Sequence, residues 1–116
     1  MVNILKDDVR ARSIEILDLA ERTTSGESDS IDVHQWREVI LYLNVTAASG
    51  TSPTLDVKIL SSPDGETWYE LDAFPQMTEV GMQVKQLDKF GWYLKIAYEI
   101  SGSFTFGVKA TFKRVR

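Results

Sequence analysis

The chain has 116 residues, no cysteine and a formal net charge of −4. That is one domain's worth of sequence, with no disulfide framework and no thiol nucleophile. No apolar run approaches the roughly 18 residues a membrane span needs. The first 35 residues hold eight of the acids against four bases, so the whole acidic excess lies there. An acidic chain without a basic stripe is a poor match for phosphate backbones, and the basic end Lys113-Arg114-Val115-Arg116 is short enough to read as solvated charge. No nucleic acid, no membrane and no cofactor are expected.

Met1–Arg12 is mixed in charge and weakly patterned, and it lacks the apolar core of a secretory signal, which reads as a mature start. Ile4, Leu5 and Val9 are apolar but have no place in a strand order, and Arg10 and Arg12 sit among acids. The expectation is an arm over residues 1–12 preceding a domain over residues 13–116. A segment so short cannot offset its own ordering entropy, so it is expected to order against a neighbour. Ile4, Leu5, Val9, Arg10 and Arg12 are therefore the candidate protein-interface residues.

Ser13–Thr24 places Ile14 and Ile16 on one face and Leu17 and Leu19 on the other. Ile14, Leu17 and Glu21 also fit a helical period, but the turn-rich run Ser25–Ser30 that follows favours a strand. Ile31-Asp32-Val33 is a short strand and His34-Gln35 a corner. In Trp36–Ala47, Val39, Leu41, Leu43 and Val45 alternate with Ile40, Tyr42, Asn44 and Thr46, and the apolar middle of both faces predicts a central strand packed on two sides.

Thr54–Leu71 reads as a hairpin. Leu55, Val57 and Ile59 alternate with Thr54, Asp56 and Lys58, Ser62-Pro63-Asp64-Gly65 carries turn chemistry, and Thr67-Trp68-Tyr69 returns with Trp68 as an aromatic anchor. After Pro75, Met82 and Val84 alternate with Gln83 and Lys85. Trp92–Ile100 and Phe104–Lys113 then show the longest alternations in the chain, and the Ser101-Gly102 turn between them predicts a second hairpin. Seven or eight strands at this spacing predict an all-β, single-domain antiparallel β-sandwich of jelly-roll type. Its predicted core includes Leu41, Leu43, Val57, Ile59, Leu94, Ile96, Phe104 and Phe106.

Chemistry is sparse. His34 is the only histidine, so a triad or a histidine metal site would have to form around it. Glu27, Asp29 and Asp32 match no calcium-loop spacing, and no phosphate-binding glycine motif is present. No catalytic, cofactor or metal residue is expected. Trp36, Trp68, Tyr69, Trp92 and Tyr93 could stack sugars, but Trp68 and Trp92 read better as caps on the core. Tyr42, Tyr69 and Tyr93 lie on the opposite parity to the core, which predicts an outer aromatic face suited to a protein partner.

Two resemblances add to this. SSPDGETW is similar to the hairpin turns of discoidin-like and carbohydrate-binding jelly rolls. It departs by one residue from the Asp-box of sialidase propellers, and no propeller repeat accompanies it. From about Ile16 to Lys113, the runs ERTTSGES, LNVTAASGTSPTLDV and SFTFGV resemble small β-sandwich structural proteins of tailed bacteriophages. That resemblance implies a non-enzymatic virion component assembled in the host cytoplasm, either a capsid decoration protein or a tail or head–tail adaptor component. The partners it implies are the major capsid protein or other virion proteins and further copies of the chain, a trimer being favoured. A carbohydrate-binding module for host adsorption is the alternative from another class.

Overall fold

The structure, a computed structural model, describes residues 11–114. Seven strands run in order: β1 (Ala11–Arg22), β2 (Gly26–Glu27), β3 (Ile31–Asp32), β4 (Glu38–Ser62), β5 (Tyr69–Ala73), β6 (Gly81–Leu87) and β7 (Tyr93–Lys113). The described residues contain no helix. Ala11 and Arg12, expected at the end of the arm, are already in β1, paired with Lys113 and Phe112.

Two long strands build the fold. β4 and β7 run antiparallel from the pair Glu38–Lys113 to the pair Ser62–Tyr93. A register slip between Val45–Phe106 and Ala47–Thr105 precedes the main break in their ladder, between Ser49–Ser103 and Thr54–Ser101. At that level Gly50 (φ 122°), Ser52 (φ 54°) and Gly102 (φ 92°) occupy conformations that turn the chain. The ribbon folds over there into two layers. In the first, β1, β7 (103–113), β4 (38–49) and β6 lie side by side; in the second, β2 and β3 flank β7 (93–101), followed by β4 (54–62) and β5. This is the expected all-β sandwich of jelly-roll type.

The second predicted hairpin does not form. Tyr93–Ser101 and Ser103–Lys113 are halves of one strand, each paired with β4 rather than with the other. Ser101-Gly102 is the corner where that strand leaves one layer for the other. Any side chain at residue 102 would meet the Ser49 carbonyl oxygen at 2.8 Å, so the glycine serves the close approach of two bends. As a central strand, β7 has backbone partners on both edges, which a terminal hairpin would deny its outer member.

The core lies between the layers. Val39, Leu41, Leu43 and Val45 face Leu55, Val57 and Ile59, and Phe104, Phe106 and Phe112 fill the space between. All eight predicted core residues are buried. The two-sided packing predicted for Trp36–Ala47 does not occur: Tyr42, Asn44 and Thr46 are exposed, because no layer covers their side. Trp36 is buried against Phe112, ring centroids 6.0 Å apart, while Trp92, read as a core cap, is 57% exposed. Trp68 is half-buried outside the core, with Lys95 Nζ 4.5 Å from its ring centroid.

The predicted Thr54–Leu71 hairpin is present, with Ser61 opposite Tyr69 and Lys58 opposite Ala73. Its loop is held by side chains. Ser62 Oγ accepts from the Gly65 N–H at 2.7 Å, and Asp64 Oδ1 accepts from the N–H groups of Glu66 and Thr67 at 2.9 Å each. The seam between β5 and β6 is closed by polar side chains. Lys85 Nζ lies 3.4 Å from Asp72, and Gln83 Nε2 donates to the Pro75 carbonyl at 3.1 Å.

A candidate docking surface

With Gln83 and Lys85 turned to the seam, the period of two sends Met82 and Val84 outward. They are 78% and 64% exposed. In register beside them on β4 are Asn44 and Tyr42, and beside those on β7 are Gly107 and Lys109. Tyr42 is also exposed. The outer face of the first layer is therefore apolar at the β6 edge, and the far edge of β6 is unpaired among the described residues.

β1 supplies the opposite wall. Its register against β7 shifts between Glu15 and Leu17 and again between Leu17 and Ala20. These bulges break the alternation, so Leu17 is buried, Ile14 and Ile16 are half-buried, and Leu19 is exposed. Gly107 lies under the second bulge. A Cβ there would meet the Leu17 carbonyl oxygen and the Leu19 nitrogen at 3.0 Å each. The bulge backbone takes the place that a side chain on Gly107 would fill, and beside it a shallow groove of roughly 270 Å³ lies between Leu19 and Met82, with Tyr42 and Asn44 on its floor and Glu15 and Lys109 along it.

Arg22 fixes the bulge. Its guanidinium donates to the carbonyls of Phe106 (2.7 Å), Asp18 (3.0 Å) and Ala20 (3.3 Å), and to the Asp18 carboxylate (2.9 Å). The wall carrying Leu19 is thereby tied to the core strand.

A second cluster sits at one end of the second layer. His34 lies edge-on to Trp92, centroids 4.0 Å apart, and to Tyr93 at 5.2 Å. Its ring nitrogen donates to Asp32, which also accepts the His34 backbone N–H at 3.0 Å. The backbone N–H first, and then the ring, hold the Asp32 carboxyl below its usual range. The pair is exposed, and its chemistry is that of a rigid surface corner. Among the described residues no three His, Asp or Glu side chains are grouped to hold a metal ion.

Of the interface residues predicted from sequence, Ile4, Leu5, Val9 and Arg10 lie outside the described residues, and Arg12 is exposed on β1. The outer tyrosines do not share a face. Tyr42 lies on the first layer, and Tyr69 and Tyr93 belong to strands of the second. Leu19, Met82 and Val84 were not singled out by sequence reasoning.

No family model matches the sequence, and no curated protein matches it by sequence. Solved structures match by fold. The SPBc2 prophage-derived protein YomS aligns over 95% of this chain and 98% of its own, with a TM-score of 0.65 and 12% identity. The PBSX exported protein XepA reaches a TM-score of 0.71 at 10% identity over 90% of this chain, which spans 38% of XepA. A chain from the capsid of Ralstonia phage GP4 aligns over 100% of this chain and 92% of its own, with a TM-score of 0.56 and 15% identity. The fold thus resembles phage and prophage proteins.

Proposed function

We propose that this chain is a non-enzymatic structural protein of a phage virion, a decoration protein that binds the outside of the head shell. The observation that carries the reading is the end-to-end match to a chain of similar length in a phage capsid. An exposed apolar groove on a helix-free sandwich supports it, since such a face suits a protein partner. Binding only to the assembled shell adds to that shell's stability by mass action.

The test is to add purified protein to particles that lack it and image them. Density repeated over the capsid lattice is the expected result. Density confined to the tail or the head–tail joint would replace decoration by the adaptor reading, and unbound protein would remove both.

One observation favours a second reading. Trp92 presents an exposed indole steadied by His34, beside the Asp32 carboxylate, which is the equipment of a glycan platform. A glycan-array signal lost in Trp92→Ala, with the fold retained, would promote that reading.

A further inference from the structure

We infer that the groove between Leu19 and Met82 receives the N-terminal arm of a second copy of this chain, with Ile4 and Leu5 as the inserted side chains. The groove has two apolar walls, so it fits aliphatic side chains entering between Leu19 and Met82 over Tyr42. Along it lie one acid and one base, Glu15 and Lys109, which are register partners across β1 and β7. The arm offers the matching pattern. Ile4-Leu5 is followed at once by Lys6 and then by Asp7 and Asp8, so an aliphatic pair and charges of both signs arrive together. An occupant of single-signed charge would leave Glu15 or Lys109 facing a like charge.

Reach decides between the chain's own arm and another's. Ile4 precedes Ala11 by seven residues, at most about 25 Å of extended chain. From Ala11, β1 runs toward the groove, so a chain's own arm would have to fold back alongside β1 to enter it. A tight reversal spends at least two residues and brings Ile4 no farther along β1 than the level of Glu15. Leu19, Gly107 and Met82 lie a further row along, and Met82 lies three strands across the sheet, about 14 Å at 4.7–4.9 Å per strand. Folded back in this way, the chain's own Ile4 and Leu5 would reach only the Glu15 end of the groove and stop short of Leu19 and Met82, a limit that a neighbouring molecule's arm does not have. The contact joins copies of the chain whether or not a capsid is their platform, so it stands or falls separately from the decoration reading.

The experiment is sedimentation velocity on the full chain, from micromolar to submillimolar concentration. Three samples are compared: wild type, the arm variant Ile4→Asp/Leu5→Asp, and the groove variant Met82→Lys. Met82 is largely exposed, so its replacement leaves the core untouched; Leu19→Ser, on the opposite wall, stands in if β6 detaches. Wild type is expected to self-associate, and each variant to weaken association by about tenfold or more. An equimolar mixture of the two variants is expected to regain a one-to-one pair, because one brings an intact groove and the other an intact arm. A wild type that stays monomeric throughout would overturn the inference. So would association that survives the arm variant, or variants that fail to complement each other.

Discussion

Arg22 Nη1 lies 2.7 Å from the carbonyl oxygen of Phe106, and the same guanidinium stands 4.9 Å from the centroid of the Phe106 ring. One side chain thus serves the backbone of a bulge and the rim of the core together. A bulge leaves backbone groups without ladder partners, and here Arg22 satisfies the carbonyls of Asp18, Ala20 and Phe106. Arg22→Leu keeps the apolar contact and abandons those oxygens, so it is expected to cost about 1–3 kcal/mol. Arg22→Lys should recover only part, since one ammonium cannot reach all three with a planar fork. Urea unfolding of the three proteins checks this, and equal midpoints would show that water replaces the guanidinium.

Phe106 itself is fully buried between the layers, edge-on to Tyr98 at 5.3 Å. Phe106→Ala is expected to cost about 3–5 kcal/mol, the range for a truncated core aromatic. A loss below about 1 kcal/mol would mean the two layers close over the gap.

Gly102 is the corner of β7. Its φ of 92° is unfavourable for any side chain, and a Cβ would also crowd Pro53 at 2.9 Å. Gly102→Ala is expected to destabilise by about 1–3 kcal/mol. Gly50→Ala, with φ 122° but a nearest contact of 3.3 Å, should cost less. Thermal melts of the pair separate crowding from backbone strain, and an equal shift in both would assign the whole effect to strain.

Asp64 gives the loop after β4 a pH dependence. The N–H of Thr67, then that of Glu66, then the Ser62 hydroxyl, hold its carboxyl below the ordinary aspartate range. A depressed pKa means the unfolded chain takes up the proton first, so this contribution is present at neutral pH and is lost as pH falls through the folded value. Asp64→Asn should therefore be less stable than wild type at neutral pH, and the gap should narrow in acid. A gap unchanged between the two conditions would show that the oxygen matters and its charge does not.

The layered core was legible because inward residues recur at odd positions in β4 on either side of its bend, Val39–Val45 and Leu55–Ile59, and at even positions in both halves of β7. The hairpin at Ser62–Gly65 was legible because its turn is closed by its own side chains, Ser62 and Asp64. Ser101-Gly102 misled for a related reason. A glycine at positive φ serves a hairpin and a sheet corner equally, and the choice between them was made by β4, some fifty residues upstream. The groove was hidden by β1, since the register shifts around Leu17 cancel the parity from which a face is read. Met82 and Val84 faced outward because Asp72 and Pro75 claimed their polar neighbours, and that is a long-range contact no local pattern records.

Because β4 and β7 are each shared by both layers, the order of synthesis sets a hazard. β4 emerges early with apolar side chains along its whole inner side, and its central partner is the last strand made. β5 and β6 can each cover only part of one edge in the interval. The nascent chain must carry an incomplete, sticky ribbon until Tyr93–Lys113 is free, and then both layers can form in one step. Folding of this kind is expected to be slow, dominated by distant contacts, and dependent on chaperones that shield unfinished sheets.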